Sequence, residues 1–578
     1  MRSDGYHEAK VAFVSDLEGG SVSHINLVCS TALSTYALWF IAHDRWLRKA
    51  DPNSLKVPLT EYGILILPLL LALTMFSSRP ILLNAILCSA ALLSARQPRP
   101  PSSPPLSPSL EKKPRTPPTG RDVANALFAQ PFITSYRAIM MVMTVLCILA
   151  VDFPAFPREF AKAETWGTSL MDLGVGSFVF SLGLVSALPL LRKSLSLPSP
   201  ISASPPVSTA TRTTDATSSP SYLRTILTSL RKSLPVIALG LVRVIMVKGV
   251  EYPEHVTEYG VHWNFFFTLA LLPVLGAGIE RYFFARATAI ELDPAADEGP
   301  RATRLDMHAV GLGVGVAHQI LLSLTTLQRW ALTAERTSLL SQNKEGLVSL
   351  PGYLSIYLLG LATGLYTLPP SPTFFRIMTT RLPASAPAEL IRQLDSKREK
   401  ALGRPSPRSS EGKGREGRGG GGGGGGNKGA RKKAEWLASA AAGWWILYGL
   451  ATLVCGARVS RRLANLTYVV WVAAFNTTFL CLYLILHLAL ASTSGSTDRV
   501  HERRGRGGGG GEAPAIFEAI NRNGLLVFLA ANLLTGLVNV SLETMYASDS
   551  VAVLVLTGYA GVVVGCAWAL RTKKVKLS

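Results

Sequence analysis

The chain has 578 residues, of which 48% are hydrophobic and only 16% are charged. Its mean hydropathy is +0.28. Soluble domains usually carry roughly a quarter charged residues, so this composition excludes an ordinary soluble protein and indicates a membrane protein. The net charge of +21 does not indicate nucleic-acid binding, because no recognition motif accompanies it.

The cysteines and the polar first residues bear on three further features, which are disulfide bonds, a zinc site and a cleavable signal peptide. Six cysteines lie singly in or beside apolar stretches, and none has CxxC spacing, so neither a disulfide framework nor a zinc site is expected. The first residues are polar and do not resemble a cleavable signal peptide. We therefore expect the first apolar stretch to direct insertion into the membrane.

Long apolar stretches recur along the whole chain. A helix needs roughly 20 apolar residues to cross a bilayer, and about thirteen stretches approach or exceed that length. They predict an all-α, polytopic integral membrane protein with about 13 transmembrane helices. The stretches are centred near Ala32, Leu69, Leu87, Val142, Val179, Leu241, Thr268, Val316, Leu358, Trp445, Phe475, Leu529 and Val562.

Several segments between the apolar stretches are rich in proline, serine or glycine. Such compositions cannot bury enough apolar surface to fold. We therefore expect one transmembrane domain, residues 1–578, interrupted by flexible cytosolic loops. These loops lie at about 96–130, 193–232, 379–433 and 492–515.

The distribution of basic residues predicts the orientation. Strongly basic loops fall on one side if the helices simply alternate, and the positive-inside rule makes that side cytosolic. The basic C-terminus joins that side, and an odd number of helices puts the N-terminus on the opposite, lumenal side. One basic segment, residues 458–462, is an exception, because this scheme puts it on the lumenal side. The agreeing loops are 43–56, 96–121, 192–232, 379–433 and 499–506.

A short loop at residues 151–167 holds the candidate catalytic residues. Asp152 follows directly on an apolar stretch, and ionisable groups at membrane depth usually have a function. Pro154 and Pro157 stiffen the backbone between Asp152 and Lys162. A carboxylate in this position can act as a general base towards a hydroxyl group. The amine of Lys162 can orient that carboxylate or stabilise an oxyanion.

The alternative reading of this loop is structural. In it, Lys162 pairs with Glu159 or Glu164 and only ties the loop down.

A second polar stretch, residues 248–265, is expected on the same side of the membrane. Aromatic residues are usual at the interface, but His255, Glu258, His262 and Asn264 go beyond an aromatic belt. They are candidates for a substrate-binding pocket that accepts a polar headgroup. Their spacing does not match a metal site, and we expect no metal. Arg243, within an apolar stretch, is a further candidate for substrate binding.

The chain resembles a known enzyme family over nearly its whole length, outside the low-complexity loops. The matching segments are 13–22, 25–27, 149–153, 164–181, 254–267, 343–346, 350–357, 461–466 and 521–539. They are similar to the glycosylphosphatidylinositol (GPI) inositol-acyltransferase family of the endoplasmic reticulum. The departures, which are glycine runs and Ser/Pro tracts, lie in loops that we predict to be cytosolic.

The resemblance implies transfer of a fatty acyl group, typically palmitoyl, from acyl-CoA to the inositol 2-hydroxyl of glucosaminyl-phosphatidylinositol. The family's Asp and Lys pair corresponds to Asp152 and Lys162. Acyl-CoA is then a co-substrate and no cofactor is bound. The implied partners are the two substrates and membrane lipid, with no nucleic acid and no obligate protein partner. The implied location is the endoplasmic reticulum membrane, with a lumenal N-terminus and a cytosolic C-terminus.

Two other functions stay open at this point. A secondary transporter would also have about a dozen helices with intramembrane charges, but the chain has no internal repeat of the expected kind. A different membrane-embedded O-acyltransferase could use an intramembrane histidine, His318 or His487, as its base.

Overall fold

The described parts of the chain are almost entirely helical, as the apolar stretches predicted. The computed structural model describes residues 5–47, 54–98, 128, 130–195, 222–249, 256–288, 307–379, 387–402, 424–454, 456–493, 513–573 and 575. Within these residues there is no β-strand, and the one isolated bridge joins Gly19 to Thr168. The all-α fold class is confirmed.

The long helices follow the apolar stretches in order. They are Val22–Ala42, Pro80–Arg96, Pro131–Ala150, Leu170–Leu195, Tyr222–Gly249, Phe265–Thr288, Met307–Leu324, Lys344–Thr367, Gly424–Gly449, Leu466–Thr493, Gly524–Ser541 and Asp549–Ala569. One further long helix is built from Lys56–Glu61, a π-helical turn at Tyr62–Ile66, and Leu67–Leu73. Shorter helices are Tyr6–Val14, Val256–Tyr259, Leu327–Thr333, Leu339–Gln342, Phe374–Thr379, Ala388–Ala401 and Ala515–Arg522.

Eleven helices of the described chain are long and apolar enough to cross a membrane. Every predicted centre lies within a helix, so the polytopic architecture is confirmed. Two further apolar segments are shorter than these eleven, namely the helix Pro80–Arg96 and the part Phe265–Glu280 of the helix Phe265–Thr288. The count of thirteen therefore stays a prediction.

Most residues of the loops predicted to be flexible lie outside the described chain. Two long helices, Tyr222–Gly249 and Gly424–Gly449, begin within these loops, and Ala388–Ala401 forms a separate helix. Its sequence is rich in alanine, leucine, lysine, arginine, glutamate and glutamine, all of which favour helix.

The chain divides into two compact units. The first comprises Met1–Phe178, Tyr252–Glu258 and Leu437–Leu577, and the second comprises Val179–Glu251 and Tyr259–Trp436. The boundaries fall within the helices Leu170–Leu195 and Gly424–Gly449. The single transmembrane domain stays a prediction.

The first unit is built around the helix Pro131–Ala150, which packs against three long helices, Leu466–Thr493, Gly524–Ser541 and Asp549–Ala569. Large aromatic side chains fill the space between these helices, and their burial contributes much of the packing energy. Tyr136 is buried, and its hydroxyl donates a hydrogen bond to the side-chain amide oxygen of Asn476. The result is a helical frame that carries the end of Pro131–Ala150, where Asp152 begins.

Four non-helical or short segments meet at one end of the first unit. Three of them are the N-terminal strap (residues 6–20), the Asp152 loop (residues 151–169) and the arginine loop (residues 456–465). The Gly20 amide donates to the Thr168 carbonyl at 2.7 Å, and the Gly167 amide donates to the Val459 carbonyl at 2.9 Å. The fourth, residues 542–548, contacts the strap through the rings of Tyr6 and Tyr546.

The opposite end of the first unit holds different parts of the chain. There Asn523, at the start of Gly524–Ser541, donates to the carbonyls of Leu570 and Lys573. The C-terminal residues therefore lie at the end opposite to the Asp152 loop, as the predicted alternation of helices requires.

The second unit depends on close approach between helices. Lys344–Thr367 packs against Met307–Leu324 and Phe265–Thr288. Gly360 and Gly364 face the carbonyls of Phe180 and Leu184, with which a Cβ atom would collide. This is the small-residue spacing with which membrane helices bring their backbones together.

Candidate active site around Asp152

Asp152 lies just past the end of a helix. The amides of Asp152 and Phe153 still donate to the Leu149 and Ala150 carbonyls, at 3.1 and 3.0 Å. Pro154 and Pro157 then follow, and proline cannot donate the backbone hydrogen bond that would continue a helix. The sequence therefore ends the helix at the position of the Asp152 carboxylate.

Arg158 organises the Asp152 loop from within. Its guanidinium donates to the carbonyl oxygens of Val151 at 2.9 Å, Phe153 at 3.1 Å and Phe156 at 2.8 Å. One side chain thus bonds three carbonyls of the loop, of which that of Phe153 also accepts from the Phe156 amide at 3.2 Å. The loop closes around the guanidinium, and its stiffness comes from this closure as well as from the two prolines.

The surroundings of Arg158 are apolar. Its guanidinium lies 4.0 Å from the ring centre of Phe13 in the N-terminal strap, a cation–π distance. Phe156 and Phe160 are fully buried beside it. Burial lowers the pKa of Arg158 to about 10, and the charge of Asp152 opposes that shift. The strap and the loop are therefore joined by packing.

Asp152 is itself buried, at 3% exposure. Its Oδ1 lies 3.3 Å from Nζ of Lys10, and its Oδ2 accepts a 2.7 Å hydrogen bond from the Asn539 amide. Lys10 belongs to the N-terminal strap, and Asn539 lies near the end of the helix Gly524–Ser541. The carboxylate is thus held by two residues that are remote from it in sequence.

Lys162 has a different partner. Its Nζ donates to both carboxylate oxygens of Glu258, at 3.0 and 2.8 Å. The side chains of Lys162 and Glu258 are 29% and 21% exposed. Among the described residues, the expected contact between Lys162 and Asp152 is not formed. The physical reason is that Lys10 and Asn539 already occupy the carboxylate, while Glu258 offers Lys162 a second one.

Glu159 and Glu164, the alternative partners predicted for Lys162, bind other residues. Glu159 lies 3.2 Å from Nδ1 of His24, and Glu164 accepts a 3.0 Å hydrogen bond from the Asp16 amide. Both glutamates therefore tie the Asp152 loop to the start of the chain and leave Lys162 to Glu258.

The arginine loop contains the basic segment that is the exception to the charge rule. It lies at the same end as the Asp152 loop, as the predicted alternation of helices required. Arg461 forms a buried ion pair with Asp172, with Nε and Oδ1 2.6 Å apart, and Arg462 donates to Thr165. One of the three arginines of this loop is thus neutralised by a carboxylate, and the orientation stays a prediction.

The second polar stretch is distributed between the units. Glu258 belongs to the first unit, with Lys162, whereas His262 and Asn264 belong to the second. The His262 amide donates to Asn343, and Asn264 accepts from the Phe266 amide at 3.0 Å and donates to the Gly240 carbonyl at 2.9 Å. These are bonds that shape the backbone.

Two further candidates for substrate binding are described only in part. Arg243 is exposed on the helix Tyr222–Gly249. His255 lies outside the described residues. Substrate binding by His255, Glu258, His262, Asn264 and Arg243 stays a prediction.

The alternative histidine bases lie inside helices. His318 is buried in Met307–Leu324, and Nδ1 of His487 is 3.1 Å from the hydroxyl of Tyr36. The described residues include no group of three or more His, Cys, Asp or Glu side chains that could hold a metal ion.

Sequence reasoning missed Lys10 and the role of Asn539. Asn539 could be found only as a polar residue in an apolar stretch, for which interhelical hydrogen bonding is the usual explanation. Lys10 carried no signal, because it lies in an ordinary polar N-terminal segment.

Comparisons with known proteins agree with the motifs. The GWT1 family profile matches residues 6–570. The chain is 36% identical to the GPI-anchored wall transfer protein 1 of Gibberella zeae, over 99% of this chain and 98% of that protein. It is 37% identical to the protein of the same name from Aspergillus fumigatus, over 99% of each chain. The Cryptococcus neoformans var. grubii relative is 35% identical over 99% of this chain and all of its own length. The chain therefore belongs to the GWT1 family, the GPI inositol-acyltransferase family of GPI-anchor biosynthesis that its motifs indicated.

Proposed function

We propose that this protein transfers a fatty acyl group, palmitoyl in the first instance, from acyl-CoA to the inositol 2-hydroxyl of glucosaminyl-phosphatidylinositol. Family membership supports the GPI precursor as the acceptor. The observation that carries the proposal is the buried carboxylate of Asp152, held in one position at a stiff loop. A fixed carboxylate shielded from bulk water is suited to general-base catalysis.

In the proposed reaction, Asp152 accepts the proton of the inositol hydroxyl while that oxygen attacks the thioester carbonyl carbon. The tetrahedral intermediate collapses and the carbon–sulfur bond breaks. The protonated Asp152 returns its proton to the departing sulfur, which gives the acylated inositol and free CoA. The step needs no serine or cysteine nucleophile, and Asp152 ends the cycle ionised.

Lys162 is the proposed oxyanion stabiliser. Its amine is engaged by Glu258 and remains partly exposed, so an incoming substrate can reach it. A preorganised cation near a developing oxyanion contributes a large part of the rate in comparable sites. Of the two roles first considered for Lys162, this arrangement favours oxyanion stabilisation over orientation of Asp152.

The proposed site faces the lumen of the endoplasmic reticulum. The N-terminal strap and the Asp152 loop share one end of the first unit, and the opposite end carries the basic C-terminal residues Arg571 and Lys573. The positive-inside rule makes that opposite end cytosolic. The partners are then membrane lipid and the two substrates, and acyl-CoA must reach the site from the cytosol.

The proposal is tested by expressing the chain in cells that lack GPI inositol acylation. In microsomes supplied with labelled acyl-CoA, Asp152→Asn should give acylated product only at background, and Lys162→Ala should lose about 10²–10³-fold in rate. Asn has the shape of Asp but cannot accept the proton as a base does.

Asp549→Asn is the matched control, because Asp549 is an exposed aspartate at the start of a helix in the same unit. It should acylate like the unaltered chain. Normal activity of Asp152→Asn at equal protein level would overturn the assignment of the base.

A further inference from the structure

Asp152 forms a closed triangle with two side chains from distant parts of the chain, those of Lys10 and Asn539. Lys10 Nζ lies 3.3 Å from Asp152 Oδ1, and Asn539 Nδ2 donates to Asp152 Oδ2 at 2.7 Å. The third side is a 3.0 Å hydrogen bond from Lys10 Nζ to Asn539 Oδ1. Lys10 is 6% exposed and Asn539 is 3% exposed. The triangle is therefore buried as a whole.

Thr544 fixes the direction of the amide in this triangle. Its hydroxyl, which is fully buried, donates to Asn539 Oδ1 at 3.2 Å. Asn539 Oδ1 thus accepts from both Thr544 and Lys10, which leaves Nδ2 to face the carboxylate. Turning the amide round would place two acceptors against each other and lose these bonds. Asn539 is consequently held as a donor to Asp152.

The energetic reason for such an arrangement is the cost of a buried charge. Removing an ionised carboxylate from water is costly unless a partner of opposite charge and hydrogen-bond donors replace the water. Lys10 supplies the charge and Asn539 supplies the donor. A carboxylate has about four lone-pair positions, so two remain for a substrate hydroxyl.

We propose that Lys10 and Asn539 are positioning residues that supply a counter-charge to the Asp152 carboxylate and hold it fixed in direction for proton transfer from the inositol hydroxyl. This inference rests on the proposed function, in which Asp152 is the base. It assigns the orienting role to Lys10 in the N-terminal strap, because the Lys162 amine is bound to Glu258. The strap is thereby part of the active site.

The test is the pH profile of acyl transfer in microsomes, with the rate expressed per molecule of each variant. Lys10→Met should lower the rate about 10²-fold, since a small displacement of a catalytic group has effects of that size. The acid side of its profile should also move to higher pH, because the carboxylate loses the charge of Lys10 and keeps that of Arg158, and a buried carboxylate with less counter-charge binds a proton more readily. Lys10→Arg should recover most of the rate and the original profile.

Asn539→Asp is the second variant. It gives Lys10 two carboxylates to neutralise, and the like charge should move the acid side of the profile to higher pH. Lys162→Ala is the control, because it should lower the rate and leave the acid side where it was. A merely structural role for Lys10 would change protein level and thermal stability but not the pH profile.

The outcomes separate this inference from the proposed function. Full activity in Asp152→Asn would remove the base and the proposed function with it. An inactive Asp152→Asn beside a Lys10→Met with unchanged rate and profile would overturn the inference alone. If Lys10→Met does not accumulate, the pH profile of Asn539→Asp is the test instead. An unchanged pH profile of Asn539→Asp would overturn the inference.

Discussion

Two buried aspartates in the first unit, Asp152 and Asp172, are held in different ways. Asp172 Oδ1 lies 2.6 Å from Nε of Arg461, and its Oδ2 accepts a 3.0 Å hydrogen bond from the Ala163 amide. Among the described residues, the Asp152 carboxylate is held by the side chains of Lys10 and Asn539, and the charge of Arg158 also acts on it.

The difference is the one expected between a structural carboxylate and the proposed general base. Arginine binds a carboxylate through a rigid planar group and stays charged, and a backbone amide cannot swing away. Lysine is a compact point charge, and Lys10 and Asn539 together leave about two lone-pair positions of the Asp152 carboxylate for another donor. Asp172 therefore ties the arginine loop to the Asp152 loop, while the proposed role of Asp152 uses the positions that its partners leave open.

The largest expected effect on stability is that of Asp172→Asn. Removing one partner of a buried ion pair leaves the other charge uncompensated and costs about 3–5 kcal/mol. The variant should accumulate poorly and melt at a clearly lower temperature in detergent. What survives should acylate substrate at a near-normal rate per molecule.

Asp549→Asn again serves as the control, with unchanged thermal unfolding. A stable Asp172→Asn variant that has lost acylation would place Asp172, rather than Asp152, at the chemistry.

A smaller effect is expected from Thr544→Val, which keeps the shape of the side chain. It removes the hydroxyl that fixes the Asn539 amide and should cost about 1 kcal/mol of stability. The rate per molecule should fall several-fold, because Asn539 then holds Asp152 less firmly. Rate and thermal unfolding are measured on the same preparation.

Thr363→Val is the matched control for Thr544→Val. Thr363 is buried in the second unit and donates to the Leu359 carbonyl of its own helix. An equal loss of rate in both variants would show that the Thr544 hydroxyl has no particular link to Asp152.

The smallest effect is expected from Glu258→Gln. The pair with Lys162 is partly exposed, and such pairs contribute roughly 0–1 kcal/mol. Thermal unfolding should change little, as in Glu435→Gln, which breaks an exposed pair with Arg431. Acylation should stay within a few-fold of normal, because the Lys162 amine remains. A loss as deep as that of Lys162→Ala would make the ion pair, rather than the amine, the functional group.

Much of the fold could be predicted from the sequence, because a long apolar stretch has few ways to satisfy its backbone in a bilayer. Each predicted centre accordingly lies within a helix. The stiffness of the Asp152 loop also followed from Pro154 and Pro157. The closure around Arg158 did not follow from the sequence, because it depends on backbone carbonyls that come together only when the loop folds.

The partners of the charged groups could not be predicted from the sequence. Lys162 lies near Glu159 and Glu164 along the chain, yet its partner is Glu258, and Asp152 is joined to a residue 387 positions away. Pairing at such separations is decided by how the helices pack. Asp152 and Asp172 look alike in sequence, since each lies beside an apolar stretch, and only their partners distinguish them.

The most direct test of the central claim uses purified Asp152→Asn protein with acyl-CoA and a glucosaminyl-phosphatidylinositol acceptor, beside the unaltered chain. The measurement is acylated inositol formed per molecule of folded protein. If Asp152 is the base, the variant should melt near the normal temperature and form product only at background. A normally folded Asp152→Asn protein that forms acylated product at the rate of the unaltered chain would contradict the account.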